Sequence, residues 1–410
     1  MHEQFSDATR FLAKTSFLWS PRPFREEVSW PDAFEDVAHW CLNLDDYELE
    51  AAEKELSLVS QKALPTALKE WRKEVERLVS LPSLGQLVAQ HRQKEFFRGV
   101  KARKQHQIQS FMAALHPKLG NEHPQRILDW CAGKAHLSRS FAASKGAIDL
   151  PVDVLAFEIQ PQLVKNATES AEKEALFFRG ECQDVLQEFS DEAQLADACR
   201  GRHLFALHGC GALSCRALDA AVHFELKSVH VAGCCFHKFH ARYLPRTELG
   251  KRAGLVLEAG DLHLPATDET VADPAKKAHR RRAMLYRAAF DELLREVAGQ
   301  KKYTSTPALP RRAFADGFPL FVKILNERCV QKLPNNLSSA TLKYALDEGE
   351  KRMARARRLG VVRGVFRRLI EVWIALDRGV SLQESGFDVE VGTFCSSAIT
   401  PRNVMIRGWR

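Results

Sequence analysis

The sequence has 410 residues, 45% hydrophobic and 27% charged, with a formal net charge of +8 at pH 7. That composition excludes a disordered or collagen-like chain and leaves room for one large α/β domain and a smaller companion. The positive excess suits a polyanionic partner such as RNA without requiring one, and no uninterrupted apolar run is long enough to span a bilayer.

The opening stretch, "MHEQFSDATRFLAKTSF", lacks the basic start and continuous apolar core of a signal peptide. The ten cysteines sit in apolar runs such as "ALHGCGALSC" and "VAGCCFHKF", so reduced thiols in a cytoplasmic compartment are expected. Residues 1 to about 90 read as helices. "PDAFEDVAHWCLNL" and "DDYELEAAEKEL" have acidic first turns, and "LPTALKEWRKEVERLVSL" keeps the helical spacing until Pro82. Trp30, Trp40 and Trp71 read as core anchors. The expected organisation is a helical domain or cap over residues 1–95 and an α/β domain over 96–410. "FFRGVKARKQHQIQSF" brings Arg103, Lys104, Gln105 and His106 just ahead of the first strand. A capping helix is the bland reading; Lys104 and His106 could also reach a substrate over the strand ends.

From Pro124 the pattern changes. "RILDWCA", "VDVLAFEI", "HLFALHGC" and "SVHVAGCC" are short apolar runs separated by helix-like stretches. Strands alternating with helices imply a parallel sheet covered on both faces, with ligands bound at the carboxyl ends of the strands. In "LDWCAGKAHLS" the first strand ends at Asp129 and a turn of small residues, Gly133 and Ala135, leads into a helix near His136. Small side chains let a ligand approach the backbone. Glu158 ends the second strand, where a carboxylate accepts hydrogen bonds from ribose hydroxyls. "GECQDV" follows, and Cys182, Gln183 or Asp184 could edge an adenine or lie in a plain loop. NAD would place a pyrophosphate on the helix and usually wants a third glycine. S-adenosylmethionine (SAM) has no phosphate, and the local sequence favours it.

His208, Cys210, Cys234, Cys235 and His237 converge if the strands ending in "ALHGCGALS" and "VAGCCFHKF" are neighbours. Three readings stay open. The preferred one has small residues shaping a pocket with an imidazole beside the substrate. Thiolates and imidazoles also ligate zinc, though these spacings are not a standard set and no metal is expected. A cysteine could act as a nucleophile. Further on, residues 241 to about 385 form a long, basic, helical insertion that includes "KKAHRRR" and "KRMARARR". Such runs are solvated helix faces or a stripe for a phosphate backbone. The chain ends in "FDVEVGTFCSSAITPRNVMIRGWR", which alternates on either side of a polar turn as a hairpin does.

Five stretches together resemble one family. "KARKQHQI" is similar to its K-K-x-H-E entry motif and "DWCAGKAHLSR" to its D-x-G-x-G-K-G-H-L-S-R turn. "ALHGCGALS" is similar to L-H-x-C-G-D-L, "GCCFHKF" to G-C-C-Y-H, and "ITPRNVMI" to an S-P-R-N ending. The family is the class I SAM-dependent methyltransferase-like group that includes the glutathione S-transferase C-terminal-domain-containing protein. It is more distantly similar to tRNA 2′-O-methyltransferases with a C-C-H-H-R-C motif. The resemblance implies a Rossmann-like, mostly parallel seven-stranded sheet with a terminal antiparallel hairpin. It implies that Asp129, Cys131, Gly133 and Ala135 flank the methionine part of SAM, that Glu158 holds the ribose, and that Asp184 lies near the adenine. His208 and Cys210 would line the methyl-transfer site with Cys234, Cys235 and His237, and Arg402 and Asn403 would close it. The expected activity is SAM-dependent methyl transfer, to RNA before protein or small molecules, with His208 or His237 accepting a proton. Cys131 and Ala135 stand where the family has glycines, and Ala212 stands where it has an aspartate. The last change also leaves open a non-catalytic SAM- or RNA-binding module.

Overall fold

The computed structural model describes residues 1–28, 30–54, 64–85, 97, 100–116, 125–146, 151–187, 192–239, 241–266, 274–329 and 333–410. The expected domain boundary near residue 95 lies outside them. Two compact units are assembled from discontinuous segments. One comprises Met1–Ala13, Leu78–Ala266 and Arg368–Arg410, and the other Lys14–Arg77 and Thr267–Arg367.

The first unit is built on a seven-stranded sheet. Its strands are β1 (Gln125–Trp130), β2 (Val152–Glu158), β3 (Phe178–Cys182), β4 (His203–Cys210), β5 (Ser228–Cys234), β8 (Asp388–Thr393) and β9 (Val404–Trp409). Two further short strands, β6 (Arg242–Tyr243) and β7 (Leu257–Glu258), pair only with each other. The sheet order is β3-β2-β1-β4-β5-β9-β8. Strands β1 to β5 are parallel, and β9 runs antiparallel to both β5 and β8. The apolar runs read from the sequence become β1, β2, β4 and β5, buried on both faces as parallel strands are. The order reverses between β1 and β4, so the crevice opens above their carboxyl ends.

One face of the sheet packs Ile127, Val154, Phe205, Ala232 and Met405 against Ile108 and Phe111 of helix Ala102–Ala113 and Phe141 of helix His136–Gly146. Helix Arg367–Glu384 is buried along most of its length. Its Asp377 is fully buried and accepts from Tyr243 Oη (2.7 Å), Arg246 N (2.8 Å), Thr247 N (3.2 Å) and Thr247 Oγ1 (2.7 Å). Four donors offset the cost of burying that charge. The first helix, His2–Lys14, belongs to this unit through Thr9, whose Oγ1 accepts from Trp373 Nε1 at 2.9 Å.

The second unit is helical. Helices Pro274–Ala298 and Ser339–Val365 meet at Gly349, where any Cβ would lie 2.6 Å from the backbone nitrogen of Ala289. Phe290, Phe314, Phe318 and Phe321 fill its core. Part of its basic sequence is neutralised internally: Arg281 pairs with Glu50, Arg357 with Glu53 and Arg358 with Asp46. Among the described residues no helix is long and apolar enough to cross a membrane.

Candidate functional site

The site is built where β1, β2, β4 and β5 end. At the end of β1 the Asp129 carboxyl is buried, and its Oδ2 accepts from Ser138 Oγ at 2.5 Å. Burial pushes this carboxyl up to about 6, against the opposing pull of the Ser138 hydrogen bonds. The turn that follows has three left-handed residues, Cys131 (φ 58°), Gly133 (φ 60°) and Ala135 (φ 52°). These are the three positions where the resembled family has glycine. The backbone therefore keeps a glycine-type path although two of the side chains carry a Cβ, a strain characteristic of functional turns. Open space lies beyond Gly133: no heavy atom comes within 4 Å of where its Cβ would stand.

Glu158 closes the turn from β2. Its Oε2 accepts from Gly133 N at 2.9 Å and its Oε1 from Gln160 N at 3.1 Å. Asp184 follows β3, with Oδ1 accepting from Leu186 N at 3.0 Å. Ile159 and Leu186, which flank these carboxylates in sequence, are exposed apolar side chains.

On β4 the register against β5 shifts between Leu207 and Gly209, leaving His208 as a bulged residue with φ 66°. His208 Nε2 lies 2.8 Å from Gln107 Oε1. The amide oxygen can only accept, so Nε2 carries the proton and Nδ1 has the free lone pair. Burial holds the imidazole down to about 4, helped by the positive charges of Lys104, Arg402 and Arg103. Gly211, directly after β4, has φ 54°, and a Cβ there would meet the Lys238 backbone at 2.5 Å. This approach packs the exit of β4 against the 3₁₀ turn Phe236–Lys238.

Three thiols meet in that corner. Cys210 Sγ is 3.4 Å from Cys234 Sγ, which is 3.6 Å from Cys235 Sγ. The hydrogen bond from Cys234 draws the Cys235 thiol down to about 5, whereas Cys234 is raised by its two thiol neighbours and by burial. Burial pushes Cys131 up to about 12, so it stays a thiol.

The structure thus brings Asp129, Cys131, Gly133, Ala135 and Glu158 together around one turn, and His208, Cys210, Cys234 and Cys235 around the next strand ends. His237 is exposed and stacks on His263 with ring centroids 5.2 Å apart. Lys104 is exposed on helix Ala102–Ala113, close enough for its charge to act on Asp129 and His208. His106 is exposed on the same helix, and no contact brings it to the crevice among the described residues. Arg402 donates to the Ala266 carbonyl and acts electrostatically on His208 and Cys235. Asn403 directly precedes β9. Its Oδ1 accepts from Arg368 (2.8 Å) and its Nδ2 donates to the Cys395 carbonyl (2.6 Å), which locks the β8–β9 turn. Gln107 and Ser138 hold the two central groups, yet the sequence reading did not single out either.

Residues 103–242 match the family model of a methyltransferase domain. No curated relative matches the sequence. Among solved structures, a candidate RNA methyltransferase from Pyrococcus horikoshii matches with 17% identity and a TM-score of 0.22, over 42% of this chain and 74% of that one. A candidate class I SAM-dependent methyltransferase from Listeria monocytogenes has 18% identity and a TM-score of 0.19, over 47% and 56%. Coclaurine N-methyltransferase, bound to N-methylheliamine and SAH, has 11% identity and a TM-score of 0.27, over 82% and 97%. The domain match places a methyltransferase domain on a Rossmann-like sheet, mostly parallel and with an antiparallel β9 next to β5.

The residues present fit SAM. The open space at Gly133 leaves room beside the turn, Glu158 offers a carboxylate at the end of β2, and Ile159 and Leu186 supply apolar surface next to Asp184.

Proposed function

We propose that this chain methylates RNA, with tRNA the first substrate to test. The observation that carries the reading is an electrostatic division of the crevice. Asp129, Glu158 and Asp184 stand on the β1–β3 side. Arg103, Lys238 and Arg402 act on the His208 and cysteine side, where Lys104 also acts while reaching Asp129 as well. A cationic acceptor side favours a polyanion and raises its local concentration. The net charge of +8 agrees with this. The ten free thiols support a reducing, cytoplasmic compartment.

When bound, SAM supplies a methyl group already activated on a sulfonium. The protein's task is to align the acceptor and take up one proton. Glu158 and Asp184 would hold the cofactor's sugar and base. His208 is neutral above pH 5, and its Nδ1 would accept the proton while Gln107 fixes the ring.

The test is incubation with methyl-labelled SAM and total RNA beside a protein lysate. Nuclease-sensitive label is expected, with the rate reduced about 10²–10⁴-fold in His208→Asn, which tolerates the left-handed backbone. Label confined to protein would remove the RNA assignment. A second reading, a binding module without turnover, rests on Ala212, which places no carboxylate at the start of helix Ala212–His223. SAM binding without label in any fraction would establish it.

A further inference from the structure

Two backbone irregularities bring the cysteine cluster together. In a regular strand neighbouring side chains alternate between faces. Cys234 and Cys235 would then point apart, yet their sulfurs are 3.6 Å from each other. This happens because Cys235 leaves the strand with φ 51°. On β4, the bulge at His208 advances the register by one residue, so that Cys210 pairs with Cys234. Without it Cys234 would face Gly209. Residues other than glycine rarely adopt the left-handed region, and here two of them, His208 and Cys235, serve to align three thiols.

All three sulfurs lie within 4.8 Å of one another. Thiolates bound to zinc at about 2.3 Å in tetrahedral geometry are about 3.8 Å apart, which is within a few tenths of an ångström of the 3.4 and 3.6 Å found here. A disulfide would use two sulfurs and strand the third. The surroundings suit an anionic centre, since Lys238 acts on Cys210, and Arg402 and His237 act on Cys235. Cys234 is buried, while Cys210 and Cys235 are only half-buried.

We propose that Cys210, Cys234 and Cys235 form a three-thiolate site for a thiophilic divalent cation of the zinc class, with its fourth position open. Three protein ligands and one open position are the pattern of catalytic rather than structural zinc. The sequence reading expected no metal because the CxxH and HxC spacings match no standard set. The bulge and the left-handed turn supply the convergence that linear spacing does not reveal.

The full chain, reduced with a phosphine and freed of metal, is titrated with Co²⁺. A sulfur-to-cobalt charge-transfer band saturating at one ion per chain and displaced by Zn²⁺ is expected. Cys235→Ser, at a half-buried position that should leave the fold intact, should weaken binding at least about 100-fold. Cys182→Ser, at an exposed cysteine outside the cluster, should leave the band unchanged. Absence of the thiolate band in the wild-type chain, or its persistence in Cys235→Ser, overturns the proposal. A Cys210–Cys234 disulfide that forms in glutathione buffer with no metal bound by the reduced protein also overturns it. The readout involves neither SAM nor acceptor, so its failure leaves the methyl-transfer reading standing.

Discussion

Gln107 Oε1 and His208 Nε2 lie 2.8 Å apart, tying a buried amide on the helix before β1 to a bulged imidazole 101 positions later. A neutral acceptor keeps the ring in one tautomer without placing a negative charge beside it. Exchanging Gln107 for Glu preserves the shape and places a carboxylate there instead. An adjacent negative charge favours imidazolium and raises its pKa by about 1–3 pH units. The acid limb of kcat/KM, expected near 4 in the wild type, should move up accordingly in Gln107→Glu. A pH–rate profile checks it, and an unmoved limb would exclude His208 as the proton acceptor.

The turn after β1 yields a stability prediction. Ala135 is fully buried with φ 52°. Its conversion to Gly loses about 0.8 kcal/mol of buried methyl and relieves about 1–2 kcal/mol of left-handed strain. Ala135→Gly should therefore be neutral to about 1 kcal/mol more stable in urea denaturation. Gly133→Ala meets no steric neighbour but takes on the strain, so it should cost about 1–2 kcal/mol. Its new methyl would also stand in the open space assigned to the cofactor, so SAM affinity should fall with it.

These positions show what was legible beforehand. Buried parallel strands are continuous apolar runs, so β1, β2, β4 and β5 stood out in the sequence, and the period-two pattern of the hairpin did likewise. Strand β3, "FRGEC", is an edge strand without a fully buried residue, so it has no such run. The left-handed turn was legible only as departures from a glycine pattern. The partnership of Gln107 with His208 was not, because an amide carries no chemical signature of its own and its partner is distant in the chain. In the "ITPRN" segment the partners of the polar side chain were equally hidden in the sequence. Asn403 is committed to Arg368 and Cys395, contacts that depend on tertiary placement.

Glu158 is expected to govern cofactor affinity. Hydrogen bonds to charged groups contribute about 1.5–3 kcal/mol, so Glu158→Ala should weaken SAM about 10- to 150-fold by isothermal titration. Glu158→Gln keeps an acceptor for Gly133 N and should fall between Ala and wild type. Equal affinity in all three proteins would remove Glu158 from the cofactor site.

Two buried groups should shape stability against pH in opposite directions. The carboxyl of Asp129 is raised from 3.8 to about 6, so the native state holds its proton more tightly than the unfolded chain. Its stabilising contribution is complete below about pH 3.9 and is lost as pH rises through 6. Asp129→Asn should thus match the wild type near pH 4 and become about 2–3 kcal/mol more stable above pH 6.5. His230 is fully buried, accepts from the His116 backbone N–H at 3.2 Å, and is held well below its ordinary range by burial and by the charges of His203, Arg407 and His116. Here the unfolded chain takes the proton first. The His230 contribution is retained above about pH 6.5 and declines by about 1.4 kcal/mol per pH unit below it, on top of the declines from His208 and His136, which burial also holds down to about 4. His230→Gln should reduce the overall slope by about 1.4 kcal/mol per pH unit, leaving the His208 and His136 parts and the Asp129 step in place. Urea midpoints from pH 4 to 8 for the wild type and both variants separate the two. A decline of unchanged slope in His230→Gln would mean that His230 is protonated in the native fold.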